Sequence, residues 1–481
     1  MNYTSSRDNQ ISVDSASAIL SGLSSEGGLF LPKQLVHFDL LSLLPLNYTA
    51  IQNLILKSFF DDLEIDYNAL NLAYNRKFDT PEICPLAKLE DFYVLELYHG
   101  PTYAFKDMAL TALPYLMQAA LHQHNQSEDV LILTATSGDT GSASLEAFKD
   151  IPGFKICVFY PSNGVSQIQK RMMQTAQGRN VHVCAILGNF DDAQNGVKQI
   201  LNQANESKLK LSSANSINIG RLISQMAYYF KAYIDLVKLE QIKLNEKVSF
   251  VVPSGNFGNI LAAYLAKQCG LPISKLICAS NQNDVLTQFI ETGVYDRNRP
   301  FLPSTSPSMD ILISSNVERL LWFITQHDSA KVKGWMNDLA TSGSYILDST
   351  SKTILQNDFK AYACSEKEVI DSIHQHSAYD HYLLDPHSAV AACAALKYQN
   401  EFHSTEKVIV LSTASPFKFP ATLMQGLSQP VSADDFENLK NLVRLTGCEL
   451  PYGLDKLVNE PIIHSTCIET KDMKVYLKGL L

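Results

Sequence analysis

The sequence predicts an α/β fold built on a largely parallel sheet. Short runs of apolar, β-branched and aromatic residues recur along the chain, and most are followed by a segment long enough to form a helix. Strands that alternate with helices in this way are covered on both faces, so they are apolar throughout. The predicted strands cover residues 93–97, 130–133, 156–160, 181–187, 248–252, 276–279 and 408–411.

Three further segments carry helix signals. Apolar residues recur at helical spacing over residues 219–237, which predicts a helix with one face in the core. Asp385 followed by Pro386 has the pattern of an N-cap and a first-turn proline, and it opens a predicted helix that runs to residue 398. The pair Asp191-Asp192 precedes a third apolar stripe, which ends near residue 206.

The two ends of the chain differ from its centre. Residues 1–82 lack the alternation and carry helix-like runs, and prolines at 81 and 85 mark a boundary. We therefore expect an N-terminal helical domain at 1–82 and an α/β core at 83–420. Residues 421–481 also lack clear alternation and are expected to pack as a C-terminal extension.

Composition and charge exclude several classes of protein. The 481 residues are 46% hydrophobic and 18% charged, as in ordinary globular proteins. Lys and Arg total 39 against 49 Asp and Glu, and the net charge of −10 argues against a nucleic-acid or anionic-membrane partner. No apolar run approaches the roughly 18 residues that span a bilayer, and the start shows no signal-peptide pattern. Nine scattered cysteines without a CxxC pair indicate reduced thiols, as in a cytoplasmic protein.

Two stretches share one design, a strand followed by an SGxxG loop and a helix. Glycine lets the backbone approach a ligand closely, and a helix start offers unpaired N–H groups that suit anions. A tight strand-to-helix connection without any ligand remains the alternative. Because neither loop is a Walker or dinucleotide motif, phosphorylated cofactors are the candidates. The loops are Ser137-Gly138-Asp139-Thr140-Gly141 and Ser254-Gly255-Asn256-Phe257-Gly258, the second followed by Asn259.

A lysine follows the strand at 93–97 in the segment HGPTYAFKD, residues 99–107. Lys106 stands near a predicted helix start, among oriented dipoles and apolar neighbours. Both effects lower the pKa of an amine, as a nucleophile that forms a Schiff base requires. The alternative is an ordinary surface lysine.

Taken together, these motifs resemble the threonine synthase family of pyridoxal-phosphate enzymes. The resemblance rests on HGPTYAFKD, ATSGDTG, PSGNFGN and STASP in this order, and on an N-terminal block at 20–32. It extends to Asn215-Ser216-Ile217-Asn218, Pro307-Ser308-Met309-Asp310-Ile311 and Asp385-Pro386-His387. It therefore covers residues 20 to about 420 and implies pyridoxal-phosphate fold type II, with two α/β lobes of parallel-rich sheets.

The resemblance also implies residue roles around the cofactor. Lys106 would form the Schiff base with pyridoxal phosphate, and Thr413 would meet the pyridine nitrogen of the ring. The loop from Ser254 to Asn259 would cradle the cofactor phosphate, chiefly through the amides of Gly255, Asn256, Phe257 and Gly258. Ser415 stands beside Thr413 where the family commonly carries His.

The implied substrate is O-phospho-L-homoserine, which would be converted with water to L-threonine and phosphate. The loop from Ser137 through Gly138 and Asp139 to Thr140 would hold the substrate carboxylate. Arg221 is the first candidate for the substrate phosphate, because it lies off the apolar stripe of its helix and shares a face with Gln225. A solvated helix face is the alternative for Arg221. Arg171 and Lys418 are weaker candidates for the same role.

Other functions stay open at this stage. A serine/threonine dehydratase-like enzyme or a phospholyase of the same fold would share Lys106 and the glycine loop. A non-catalytic phosphometabolite-binding protein is the alternative outside enzymes. Histidines at 122, 124, 374, 376, 381 and 387 form no recognisable ligand set, so no metal site is predicted. We expect a monomer or a homodimer.

Overall fold

The computed structural model describes residues 1–126, 128–136, 138–202, 210–403 and 405–480. The chain begins with a small antiparallel sheet in the order β2-β1-β3, followed by helices. The first elements are β1 (Tyr3–Ser5), β2 (Asp8–Val13), α1 (Ser15–Ser21), β3 (Phe30–Pro32), α2 (Leu40–Leu43), α3 (Tyr48–Phe59) and α4 (Tyr67–Lys77). The N-terminal region is thus mainly helical, and the three short strands are an addition to what the sequence predicts.

The next stretch forms the lysine segment and the smaller lobe. Its elements are β4 (Leu86–Lys88), β5 (Tyr93–Glu96), α5 (Lys106–Leu110), α6 (Leu113–Gln123), β6 (Val130–Ala135), α7 (Asp139–Phe148), β7 (Phe154–Pro161), α8 (Gln167–Gln174), β8 (Val181–Leu187), α9 (Phe190–Asn202) and β9 (Lys210–Ser213). The predicted helix after Asp191-Asp192 therefore begins one residue before that pair. Its predicted end near residue 206 lies outside the described residues.

The larger lobe and the C-terminal region follow. Their elements are α10 (Ile219–Ser224), α11 (Met226–Lys238), β10 (Val248–Pro253), α12 (Gly258–Gln268), β11 (Ile273–Ser280), α13 (Val285–Thr292), β12 (Val294–Asp296), α14 (Val317–Ile324), α15 (Ser329–Thr341), β13 (Ser344–Ile346), α16 (Ser349–Asp358), β14 (Phe359–Ala363), α17 (Glu366–Tyr379), α18 (Pro386–Phe402), β15 (Lys407–Ser412), α19 (Pro420–Gly426), α20 (Asp435–Thr446), α21 (Tyr452–Leu457), β16 (Cys467–Glu469) and α22 (Met473–Lys478).

Two parallel-rich sheets carry the fold, as the α/β prediction requires. The larger sheet has the order β14-β11-β10-β15-β5-β4, and only β4 runs antiparallel to its neighbour. The smaller sheet has the order β16-β8-β7-β6-β9 and is parallel throughout. All seven predicted strands are present. Strands β6 and β10 are buried along their whole length, because helices cover both faces of each sheet.

The C-terminal extension is more closely integrated than its lack of alternation suggested. Strand β16 pairs in parallel with β8 and so becomes the edge of the smaller sheet. Gly453 donates its backbone N–H to the hydroxyl of Tyr103, which belongs to the lysine segment. None of the described helices is long and apolar enough to cross a membrane. The domain boundaries at 82 and 420 stay predictions.

The predicted helix over 219–237 is two helices, α10 and α11, that meet at Gln225. The backbone N–H of Gln225 bonds to the carbonyl of Leu222, which tightens the turn without changing the right-handed conformation. The apolar periodicity therefore continues across the junction, so the sequence pattern cannot reveal it. Asn218 caps α10, and Asp385 caps α18 as predicted.

Candidate active site

A cleft of about 250 Å³ lies where the loops that follow β6 and β10 face each other. The carboxyl ends of parallel strands are where ligands bind in open α/β sheets. The predicted site residues that line this cleft are Lys106, Asp139, Thr140, Arg221, Ser254, Gly255, Asn256, Phe257, Gly258, Asn259 and Thr413. Gly138 is not among the lining residues, and Ser137 lies outside the described residues.

Lys106 is the first residue of α5, and its side chain is 11% exposed. Burial lowers the pKa of its ammonium group, and the positive charges of Lys418 and Arg221 lower it further, whereas Asp139 raises it. The net effect is a lowered pKa. A lysine in these surroundings releases its proton more easily than a surface lysine does, so the surface-lysine alternative is wrong.

Asp139 and Lys106 lie close to each other in the cleft lining. One carboxylate oxygen of Asp139, Oδ2, lies 3.6 Å from Lys106 Nζ, while Oδ1 lies 2.6 Å from Lys418 Nζ. Gln169 donates a hydrogen bond of 2.8 Å to Oδ1. Burial alone would raise the pKa of Asp139, but the two lysines outweigh it, and the pKa lies well below its usual range. Asp139 is therefore ionised.

Gly138 in the first glycine loop is required both by its backbone conformation and by the close packing of Gln169. Gly138 has a φ of +148°, and a Cβ there would lie 2.5 Å from the side chain of Gln169. Thr136 Oγ1 accepts hydrogen bonds of 2.9 Å from the amides of Gly138 and Gly141. Gly138 and Gly141 are therefore both anchored on the side chain of Thr136.

The second loop begins at Ser254 and leads into α12. Phe257 has a left-handed conformation with a φ of 60°, and it precedes the first helical residue. Ser314 Oγ donates to the carbonyl of Gly255, and the side chain of Asn316 donates to the carbonyl of Asn256. With these carbonyls bound from behind, the start of the helix faces the cleft with N–H groups that lack helical partners.

Asn259 adds a polar side chain to this loop. Its Oδ1 accepts hydrogen bonds of 2.6 Å from the hydroxyls of both Tyr228 and Tyr229. Its buried Nδ2 has no protein partner among the described residues. A buried amide donor without a partner is expensive, so this atom indicates a ligand acceptor in the cleft.

Thr413 lies opposite the second loop, immediately after β15. Its backbone N–H donates to Ser388 Oγ, and its carbonyl accepts from the amide of Phe105. The strand end and the lysine segment are thereby joined. Ser415, where the family commonly has His, is buried but does not line the cleft.

Arg221 is 3% exposed, so the solvated-face alternative is wrong. Nη1 donates to the carbonyl of Ala214, and buried Nε has no protein partner in the described part of the chain. Burial lowers the pKa of this guanidinium to about 10, which still leaves it charged at neutral pH. Gln225 lies on the same face, as predicted, and also lines the cleft.

The two weaker phosphate candidates are engaged elsewhere. Arg171 lies over the ring of Phe436 at 5.3 Å and does not line the cleft. Lys418 is fully buried and bonds to Asp139 and to the carbonyl of Thr102. His99, placed by the sequence beside the lysine, also lies outside the lining, where it bonds to Asp79 and Glu96.

Several residues shape the cleft through contacts that the sequence does not predict. Gln169 and Lys418 reach Asp139 from separate elements. Arg319 is fully buried and binds Asn316 together with the carbonyls of Phe30 and Ile217, so it ties the second loop to the N-terminal sheet. The family blocks at 215–218 and 307–311 locate this neighbourhood, but not these contacts.

His387 is held in one orientation beside the second loop. Ser308 donates its amide hydrogen to Nε2, and Nδ1 lies 2.8 Å from Asp385 Oδ1. Because Nε2 accepts, the ring hydrogen lies on Nδ1. The ring also lines the cleft.

These features fit pyridoxal phosphate. A buried amine with a lowered pKa faces a glycine-lined helix start, and the unpartnered Asn259 Nδ2 points to a polar group between them. A Cβ at Gly255 would lie 2.6 Å from the carbonyl of Ser308, so only glycine leaves this cradle open.

Comparison with known proteins agrees with this geometry. Residues 81–414 match the family "Pyridoxal-phosphate dependent enzyme", residues 2–77 match "Threonine synthase N terminus", and residues 388–446 match "Threonine synthase, C-terminal". The threonine synthase of Saccharomyces cerevisiae is 36% identical over 85% of this chain and 86% of its own length. That of Pseudomonas aeruginosa is 36% identical over 89% of this chain and 91% of its own length.

The fold agrees as well. The pyridoxal-phosphate-bound threonine synthase of Brucella melitensis superposes with a TM-score of 0.88 at 35% identity, over 100% of this chain and 98% of that one. The likeness covers both lobes and both ends of the chain. The chain therefore belongs to the threonine synthase family of pyridoxal-phosphate-dependent enzymes.

Proposed function

We propose that this enzyme converts O-phospho-L-homoserine and water to L-threonine and phosphate. The observation that carries the proposal is the presence of three features in one cleft: the buried amine of Lys106, the glycine-lined start of α12 and the buried guanidinium of Arg221. The first two suit a phosphorylated aldehyde cofactor, and the third suits a second phosphate. A substrate with its own phosphate needs such a second cation.

The proposed cofactor contacts follow from what faces the cleft. Lys106 Nζ would hold pyridoxal phosphate covalently, and the amides of Gly255, Asn256, Phe257 and Gly258 would bind its phosphate. Asn259 Nδ2 and the start of α12 would add donors. Thr413 would face the ring nitrogen with a hydroxyl, which, unlike a carboxylate, does not hold a proton there. When bound, the cofactor supplies an electron sink for the carbanions of the reaction.

The proposed substrate contacts lie on the other side of the same cleft. The loop from Ser137 to Thr140 would bind the substrate carboxylate through its amides. Arg221 would bind the substrate phosphate, because its Nε has no protein partner among the described residues and its surroundings exclude water. A charge-assisted contact in such surroundings is stronger than one on the surface.

Lys106 Nζ would also move protons. Once displaced by the substrate amine, Lys106 would act as a base close to the reacting carbons, and its lowered pKa makes its proton easier to lose than that of a surface lysine. Arg221 would stabilise the departing phosphate, whose oxygens are available to assist water addition at the β-carbon. The burial of both side chains keeps bulk water from competing with these steps.

One reaction separates this proposal from its alternatives. The absorbance of the purified protein is recorded, the protein is incubated with O-phospho-L-homoserine, and phosphate and threonine are measured together. Equal amounts of the two support the proposal. Phosphate with a keto acid and no threonine would favour a dehydratase-like enzyme or a phospholyase. A colourless protein without turnover would favour a phosphometabolite-binding protein.

We also propose a cellular compartment and a domain organisation for the enzyme. All nine cysteines have free thiols, and seven are buried, which supports a reducing compartment such as the cytoplasm. The division into residues 1–82, 83–420 and 421–481 and a monomeric or homodimeric state belong to the same proposal.

A further inference from the structure

Lys418 is a fully buried cation that joins the two catalytic loops. Its Nζ lies 2.6 Å from Asp139 Oδ1 and donates a hydrogen bond of 2.8 Å to the carbonyl of Thr102. Thr102 belongs to the segment 99–107 that carries Lys106, and Asp139 begins α7. A buried ammonium with no compensating charge is costly. Lys418 therefore depends on Asp139 as its counter-ion.

Asp139 is in turn shared by two lysines at unequal distances. Lys418 contacts one carboxylate oxygen at 2.6 Å, whereas Lys106 lies 3.6 Å from the other. Coulombic attraction falls with distance, and Lys418 also adds a direct hydrogen bond. The carboxylate is consequently bound more tightly to Lys418, which leaves Lys106 as the weaker partner.

We propose that Lys418 is a positioning residue. By forming an ion pair with the carboxylate of Asp139, it weakens the hold of that carboxylate on Lys106 and so keeps the Lys106 amine available to form the Schiff base with pyridoxal phosphate. The inference rests on the proposed role of Lys106. An amine attacks an aldehyde only in its neutral form, and a single anion left to Lys106 would hold it as the ammonium.

The other charged groups around Lys106 do not replace Lys418. Arg221 lies in the same cleft, and among the described residues it hydrogen-bonds to a backbone carbonyl and to no carboxylate. Asp107 follows Lys106, but its two oxygens are bound by the amide and the hydroxyl of Thr102. His387 bonds to Asp385 and to the amide of Ser308, not to Asp139. After burial, which lowers the pKa of Lys106 most, Asp139 and Lys418 are therefore the charges that act most strongly on it.

The test measures cofactor capture rather than turnover. The full-length protein is stripped of cofactor with hydroxylamine and mixed with pyridoxal phosphate over a range of pH. The growth of the visible absorbance band gives the rate, and borohydride trapping with mass spectrometry confirms that Lys106 carries the label. In Lys418→Met, the midpoint of the rate profile is expected to move up by about one pH unit.

Three further variants make the test discriminating. Gln169→Leu removes an uncharged hydrogen bond from the same oxygen of Asp139, so its midpoint is expected to stay near that of the parent. Asp139→Asn removes the anion, and its midpoint is expected to move down. The double variant Lys418→Met with Asp139→Asn removes both charges and is expected to return towards the parent midpoint.

The outcome is decisive even if Lys418→Met does not fold. In the double variant neither Lys418 nor Asp139 is left as an unpaired buried charge, so it and Asp139→Asn are measured in place of the single variant. An unchanged midpoint in Lys418→Met or in Asp139→Asn would overturn the proposal. An equal shift in Gln169→Leu would also overturn it, because geometry rather than charge would then be the cause. No substrate is present, so the result stands whatever product the enzyme makes.

Discussion

Lys106 Nζ and Asp139 Oδ2 lie 3.6 Å apart, although they begin different helices and belong to different loops. The distance is too long for a strong hydrogen bond but short enough for a strong electrostatic interaction in a buried cleft. Asp139 raises the pKa of this amine, but burial lowers it more, so the net pKa of Lys106 is lowered.

Lys106→Ala is expected to abolish the visible absorbance of the bound cofactor and to lower turnover by roughly 10³-fold or more, since one group serves as anchor and as base. Absorbance spectra and threonine formation measure the two effects. Lys231→Ala is the matched control, because Lys231 pairs with Asp235 on α11 and does not line the cleft. A coloured, fully active Lys106→Ala protein would refute the assignment.

Gly255→Ala is expected to weaken cofactor binding by roughly tenfold or more, because the new methyl group would lie 2.6 Å from the Ser308 carbonyl and overpacking costs about 1–3 kcal/mol. Equilibrium dialysis against pyridoxal phosphate gives the affinity. Gly334→Ala has open space around its Cβ and lies within α15, so it is expected to keep affinity and to gain up to about 1 kcal/mol of stability. Equal affinities in the two variants would show that the loop tolerates a side chain.

Arg221→Gln is expected to reduce kcat/KM for O-phospho-L-homoserine by roughly 10–100-fold, since lost hydrogen bonds to a charged group cost about 1.5–3 kcal/mol. Steady-state kinetics provide the measurement, and cofactor absorbance is expected to be retained. Arg171→Gln, which lies outside the cleft, is expected to behave like the parent enzyme. The phosphate assignment fails if Arg221→Gln keeps full kcat/KM.

The sequence predicts part of this site and misses the rest. The buried strands and the glycine loops are visible because apolar runs and local turn residues are written in consecutive positions. The position of Arg221 off the apolar stripe predicts a role in binding the substrate phosphate. Its burial, however, depends on packing against other segments, which the sequence pattern does not show. The contact between Lys418 and Asp139 joins the two lobes of the chain, so no local pattern can predict it. The family resemblance locates the motifs but does not say which charges meet.

His99 gives a prediction about stability and pH. Burial lowers its pKa, but hydrogen bonds to Asp79 and Glu96 outweigh this and raise it to about 9. A raised pKa means that the stabilisation is fully present below the unfolded value of about 6.5 and is lost as the pH rises through 9. Thermal unfolding should therefore show a Tm that falls over this range in the parent. His99→Gln is expected to remove most of that slope, and an unchanged slope would contradict the ion pairs.

The central claim is tested most directly by one reaction in ¹⁸O-labelled water with the holoenzyme and O-phospho-L-homoserine, analysed by mass spectrometry. Cleavage of the bond between carbon and the bridging oxygen, followed by water addition, predicts threonine with one ¹⁸O atom and phosphate with none. Labelled phosphate would indicate attack on phosphorus, and an absence of threonine would indicate a different lyase. Either result would contradict the account.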